Sequence, residues 1–409
     1  MNKFVYKLTT AVSTAALLTG SVASVAFGTT TVTISGNGSD SDNTANVTVS
    51  TSNSIVQNNN ANIQNNVNID ANTGDNDAND NTGGDVSIDT GDANVSSSVS
   101  NSANSNVANV ACGGCPGDTS VKISGNGSDS DNDANVKVLN ETGIEQNNNA
   151  NVNNNVDVDA KTGDNEAEDN TGGDVEIETG DADVTVDIAN MVNQNVASVG
   201  GNGDGGELNV EISGNGSDSD NDVDVELLSG VGVLQNNNAN ISNDVDVDAE
   251  TGDNEANDNT GGDVSIDTGD ADVEVGIDNK ANFNGVNLDE CCELGADIKV
   301  AGNGSDSDND VKVKLASELG AEQNNNFNDG KCDGVDVEVD TGNNDANDNT
   351  SKDGGDPSVT TGDADASVDS STEANSNVLG DMDGLNLPQL PNLDDLNGWV
   401  LLLMGQFSN

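Results

Sequence analysis

The chain has 409 residues and a formal net charge of −63, set by 74 acidic residues against 11 Lys, with no Arg and no His. That surface excludes nucleic acid, whose binding needs Lys or Arg on phosphates, and it repels anionic membranes; divalent cations and cationic groups are the partners it attracts. Without His there is no Ser-His-Asp or Cys-His catalytic arrangement, and with 32% hydrophobic and 2% aromatic residues the chain lacks the apolar supply for ordinary large cores.

The N-terminal segment, residues 1–26, reads as an export signal. Lys3 and Lys7 form the positive region, an apolar run follows from Leu8 to about Val22, and Ser24-Val25-Ala26 supplies small residues for cleavage. The expected location is secreted, extracellular or at the cell surface. No later segment has the roughly 20 apolar residues that span a bilayer, so no transmembrane span is expected after signal removal.

Four near-copies of one block follow. Gly-Asn-Gly-Ser-Asp-Ser-Asp begins at Gly36, Gly125, Gly214 and Gly302, at intervals of 89, 89 and 88 residues. Gln57, Gln146, Gln235 and Gln323 open a Gln-Asn-Asn-Asn phrase in the same step. We place the repeats at 27–118, 119–207, 208–296 and 297–377. Repeats serve stacking or many equivalent weak sites more readily than a single catalytic centre.

Within the second copy, Val121-Lys122-Ile123, Val136-Lys137-Val138, Val156-Asp157-Val158 and Val175-Glu176-Ile177 alternate apolar and polar residues. This is the period of half-buried strands, with turns at Asn126-Gly127, Thr162-Gly163-Asp164 and Thr179-Gly180-Asp181. The fold expected is all-β, a β-solenoid or β-helix-like stack. Thr73 and Thr90 are 17 residues apart, as are Thr162 and Thr179, which suggests coils of about 18 residues. Stacked coils would bring the Asn of 58–60 and 147–149 into ladders. Asn-Gly between alternating runs is also a hairpin signal, so tandem β-sandwich domains give the alternative.

Gln57-x-Asn59-x-x-Asn62-x-Gln64 resembles the Gln/Asn-spaced repeats of curlin-type fibre subunits, with Asn where those have Gly. The Gly/Asp-rich turns resemble calcium-binding β-roll repeats, without their Gly-Gly-x-Gly-x-Asp pattern. The organisation as a whole is similar to bacterial secreted cell-surface β-repeat proteins.

Acidic phrases are the candidate chemistry. Asp129, Asp131 and Asp133 alternate, as do Asp218, Asp220, Asp222 and Asp306, Asp308, Asp310; the first copy has Asp40 and Asp42, then Thr44. Alternate residues share a face of an extended chain, and carboxylates at that spacing suit a hard cation such as Ca²⁺. The other reading is a solvated acidic turn. A second set is Asp75, Asp77, echoed by Asp164, Glu166, Glu168 and by Asp253, Glu255. No enzymatic activity is expected: no phosphate-binding Gly-x-x-x-x-Gly-Lys-Ser/Thr loop appears, and a glycosidase would want aromatic platforms. The Asn37-Gly-Ser39 type phrases are formal glycosylation sequons that turn chemistry explains without sugar.

Cys112, Cys115, Cys291, Cys292 and Cys332 are expected as local disulfide staples, the odd one free to pair between chains. After about Asn377 composition changes to a Leu-rich tail, 378–409, with Pro388, Pro391 and Trp399; it is a cap for the last repeat or an anchor. The function expected is a secreted, non-catalytic structural or adhesive repeat protein, acidic and Ca²⁺-stabilised, with self-association or a cell-surface partner. The alternatives are a calcium-responsive binding module that orders on export, and a largely disordered acidic extracellular polymer.

Overall fold

The computed structural model describes residues 29–110, 118–200, 207–288, 295–329, 334–352 and 354–380, with the backbone of 4–7 and 17–22. The five cysteines and the tail beyond Gly380 lie outside the described residues.

The strands are β1 (Phe4–Lys7) and β2 (Leu17–Val22), then four sets that repeat. The first set is β3 (Thr30–Ser35), β4 (Asp42–Asn72), β5 (Val86–Asp89) and β6 (Ala93–Val110). The second is β7 (Thr119–Ser124), β8 (Asp131–Lys161), β9 (Val175–Glu178) and β10 (Ala182–Val199). The third is β11 (Glu207–Ser213), β12 (Asp220–Glu250), β13 (Val264–Asp267) and β14 (Ala271–Leu288). In the fourth, β15 (Gly295–Ala301), β16 (Asp308–Asp329), β17 (Gly334–Asp340), β18 (Ser358–Thr360) and β19 (Ala364–Leu379), the long strand is divided in two.

Each strand pairs in parallel with its counterpart in the next repeat, giving sheet orders β15-β11-β7-β3, β16-β12-β8-β4, β18-β13-β9-β5 and β19-β14-β10-β6. Val47 lies beside Val136, Val136 beside Val225, and Val225 beside Val313. One whole repeat is therefore one coil, and the chain is a solenoid of four very wide rungs. The expected coil of about 18 residues is corrected by this register. Thr73 and Thr90 are two corners of the same rung: Thr73 Oγ1 donates to Gly91 O at 2.7 Å across the rung, whereas Thr73 N–H bonds to Lys161 O in the rung above. The strand pairings of the repeats are parallel, with no Asn-Gly hairpin, so the tandem-sandwich alternative falls as well.

Four such wide rungs make a slab. A 31-residue strand such as β8 runs about 100 Å, while four rungs at about 4.8 Å make the stack under about 20 Å high. Within a rung, the β4 sheet faces the β3 sheet over its first third and the β6 sheet over the rest. Valine and isoleucine columns fill the gap: Val32, Val121 and Val210 face Val136 and Val225 at one end, and Val95, Val184 and Val273 face Val67, Val156 and Val245 further along. Small apolar side chains suffice because the core is one layer thick and is extended by repetition.

The turns hold glycine where rungs touch backbone to backbone. A methyl group on Gly127 would run into the backbone of Gly38 and Ser39 in the rung below, whereas the same group on Gly38, at the end of the stack, meets nothing within 4 Å. Gly127→Ala is expected to lower stability by about 4 kcal/mol or more, and Gly38→Ala to leave the melting temperature of the monomer almost unchanged. Equal effects in thermal melts would contradict the stacking direction.

Candidate functional site

Two kinds of column run through the stack. The first is amide. Gln146 Nε2 donates to Gln57 Oε1 at 2.7 Å, Gln235 to Gln146 at 2.8 Å and Gln323 to Gln235 at 2.9 Å. Each of these glutamines also bonds across the core, as Gln146 does to Val196 O at 3.0 Å. Asn65, Asn154 and Asn243 form a second inward column, with Asn65 Nδ2 and Asn154 Nδ2 each donating at 2.7 Å to the next. A facing column, Asn101, Asn190 and Asn279, interlocks with it, Asn101 Nδ2 reaching Asn154 Oδ1 at 3.0 Å and Asn190 Oδ1 at 2.7 Å. Buried amides are thus satisfied mainly by the same residue one rung away.

Asn104, Asn193, Asn282 and Asn375 form another column, all in left-handed backbone with φ between 61° and 63° for Asn104, Asn193 and Asn375 and 60° for Asn282. They interrupt β6, β10, β14 and β19 as a left-handed kink that every rung shares, so the register on either side is kept and their side chains turn inward. Asn104 Nδ2 donates to Asn193 Oδ1 at 2.9 Å and to Asn149 O at 2.7 Å, tying the two facing sheets together.

The expected Asn ladders at 58–60 and 147–149 are present, with Asn59 and Asn148 inward and Asn58, Asn60, Asn147 and Asn149 outward. Asn147 donates to Asn58 at 2.8 Å and Asn149 to Asn60 at 2.9 Å. The outward columns flank a shallow surface groove of about 230 Å³ lined by Asn58, Asn147, Asn236 and Asn324 and their neighbours. The sequon asparagines are a column too. Asn126 is buried and its Nδ2 donates to Asn215 Oδ1 at 3.1 Å, so in the folded chain it is not presented to a glycosylating enzyme.

The second kind of column is acidic. Asp42, Asp131, Asp220 and Asp308 stand in register, and beside them Thr44, Asp133, Asp222 and Asp310. Asp40, Asp129, Asp218 and Asp306 occupy the preceding turn, each in left-handed backbone with φ between 55° and 58°. The structure therefore aligns the phrases along the stack. Among the described residues, however, none of these phrases forms a trio of carboxylate oxygens within 4.8 Å; the trio that does is Asp164, Glu250 and Asp253. Asp164 and Asp253 belong to the second acidic set. Glu250 escaped sequence reasoning because it closes an alternating acidic run, Asp244, Asp246, Asp248 and Glu250, that reads as the solvated face of a strand; the signal that finds it is the 89-residue register, which sets it beside Lys161.

That trio is a poor cation cage. Lys161 Nζ already lies 3.1 Å from Glu250 Oε2, and burial, with a hydrogen bond that the protonated Glu250 carboxyl donates to Asp253, pushes Glu250 up to about 7. The outer columns hold more charge per basic neighbour. Burial first, and then Asp131 and Asp308, raise the pKa of Asp220; burial and then Asp220 raise that of Asp222. Asp183 and Asp246 are raised in the same way. Glu226 runs the other way. It sits between Lys137 and Lys314, each 2.7 Å away, and their hydrogen bonds hold it down at about 2.

The chain matches no family model, no curated protein and no solved structure.

Two predictions arise from these columns. Asn195 bonds to Asn237 at 2.9 Å and to Asn284 at 3.1 Å, so Asn195→Leu leaves buried amides unpaired in both facing sheets and should cost about 2–4 kcal/mol in denaturant unfolding; a change within about 0.5 kcal/mol would show the ladder to be energetically idle. The second concerns pH. Carboxyls raised on folding stabilise the folded state most below their unfolded pKa, and that stability is lost as pH rises through the folded value, about 7 for Glu250. Glu226 contributes above its unfolded pKa and loses its contribution as pH falls through about 2. Melting in EDTA should therefore be higher near about pH 5 than near about pH 8, and Glu250→Gln should shrink the difference. A melting temperature that climbs over that range contradicts the raised carboxyls.

Proposed function

We propose that this chain is an exported, non-catalytic structural protein of the cell surface or extracellular matrix, and that divalent cations, Ca²⁺ in particular, stabilise its acidic stack. The observation that carries the reading is the continuity of the amide columns across all four repeats, the Gln57–Gln323 column above all. Such columns supply many equal contacts and no unique reactive centre, which is the economy of a building block. The lack of any His supports the non-catalytic part. The signal-like segment 1–26 supports export.

The register of the acidic phrases supports the cation part. Like charges about 4.8 Å apart repel by about 0.9 kcal/mol per pair in bulk water. Columns such as Asp42-Asp131-Asp220-Asp308 repeat that cost along the stack, against a typical fold stability of about 5–15 kcal/mol. Cations bound between the columns would offset it, and binding to the folded state alone raises stability by mass action.

A Ca²⁺ titration followed by circular dichroism tests this. After EDTA treatment, the melting temperature is expected to climb with Ca²⁺ at constant ionic strength. Superimposable melts in EDTA and Ca²⁺ at moderate salt would sink the cation part. Hydrogen exchange separates the scaffold from the calcium-responsive module: a scaffold is protected in both conditions, a module only with Ca²⁺.

A further inference from the structure

The two ends of the stack are unfinished in complementary ways. In the inner rungs Val210, Ile212 and Val275 are almost wholly buried, while their counterparts in the fourth rung, Ile298, Val300 and Val368, are 46–47% exposed. The core columns run to that face and stop without a cap among the described residues. The amide columns stop there as well. Gln323 donates inward to Gln235, so its Oε1 faces outward as the next acceptor. Asn375 accepts from Asn282 at 3.0 Å and leaves its amide N–H groups as the next donor.

At the opposite face the matching group is waiting. Asn104 Oδ1, at the first-rung end of the same column, is buried and has no hydrogen-bond partner. In each inner rung that oxygen is taken by the asparagine of the rung before it: Asn193 Oδ1 by Asn104 and Asn282 Oδ1 by Asn193. The N-terminal strands flank Asn104 on that edge. β1 and β2 lie on the free edge of β6 in the register of an extra rung, Phe4 beside Ala93 and Leu17 beside Ser105. Those are the places that Ala364 and Ser376 of a fourth rung would take, since Ala93, Ala182, Ala271 and Ala364 share one column, as do Ser105, Gln194, Phe283 and Ser376.

We infer that the fourth-rung face of one molecule docks on the first-rung face of a second copy, and that residues 1–26 mask the first-rung edge until they are removed. The inference rests on the structural reading above and names its partner. The chemistry of the two faces agrees. The first repeat carries Thr44, Asn68, Ser87 and Ser98 where the second carries Asp133, Asp157, Glu176 and Asp187, which lowers charge at the joint. Lys299 and Lys314, paired below with Glu211 and Glu226, would meet Thr33 and Thr48 of the second copy and not another Lys. At Pro357, which takes the place of Val86, Val175 and Val264, one edge donor is missing; the joint is carried by the other strands. A contact between unlike faces does not close, so it propagates as a filament along the stacking axis.

Glycine provides a selective probe. A methyl on Gly38 or Gly342 meets no backbone within its own molecule, but the equivalent methyls on Gly127 and Gly252 collide with the backbone of the neighbouring rung. The full chain, with a protease site inserted after Ala26, is followed by sedimentation and negative-stain microscopy before and after cutting, in Ca²⁺ and in EDTA. The cut chain is expected to form filaments with a rise of about 19 Å per subunit, the uncut chain to stay monomeric. Gly38→Ala and Gly342→Ala should melt like the parent as uncut monomers and, once cut, raise the critical concentration at least tenfold. Should either lower the melting temperature, Val300→Lys, at an already half-exposed position, replaces it with the same expectation.

Cut protein that stays monomeric in both conditions overturns the docking, while leaving the calcium melts to judge the structural reading separately. Filaments that form equally well from the glycine or lysine variants also overturn it, because the contact is then not rung on rung. Assembly of the uncut chain at the same rate overturns the masking by residues 1–26.

Discussion

Everything in this structure depends on parallel, in-register pairing of each residue with its counterpart one repeat away. That single constraint sets what each side chain can be. Inside, a position must tolerate its own kind as its neighbour above and below, which admits Val, Ile, Ala, Asn and Gln and disfavours a large residue at every level. Aromatic poverty is then a consequence of the architecture. At Phe283 the column reads Ser105, Gln194, Phe283, Ser376, so the one aromatic is set among smaller polar neighbours.

Amides fit the constraint better than hydroxyls or charges. A carboxamide carries donor and acceptor on one planar group, so a column of identical amides satisfies itself. A column of carboxylates has acceptors only and repels. The chain uses the two accordingly: amides and aliphatics point inward, and acids point outward or into turns, where Asp40, Asp75, Asp80 and their counterparts adopt left-handed backbone. Two of the outward columns alternate in sign, Lys122-Glu211-Lys299 and Lys137-Glu226-Lys314. The central glutamate of each triplet serves two lysines, and the third repeat is held by its neighbours on both sides.

The sequence made the repeat, the strand period and the Asn ladders legible, because each is written in residue identity at fixed spacing. It misled on the size of the coil. Thr73-Gly74-Asp75 and Thr90-Gly91-Asp92 look like successive turns of one short coil, but they are corners that face each other and bond across the rung. Only the pairing register distinguishes a corner from a rung, and a sequence that repeats at both scales does not contain that choice. Glu250 was hidden for a related reason: its importance comes from Lys161, its neighbour in space and far from it in the chain. The kink asparagines, such as Asn104, lie in an ordinary Asn/Ser run, and nothing local marks their backbone as left-handed.

The width of the rung has a kinetic consequence. A ladder bond such as Thr73 N–H to Lys161 O closes a loop of 88 residues, at a chain-length cost of roughly 4 kcal/mol before any reward. The next bonds in the same ladder close no new loop and come nearly free. Folding of such a chain should be slow to begin and fast to spread, since almost all its ordering contacts are non-local. A single repeat has no backbone partner of its own, so the smallest unit that can begin to fold is two rungs.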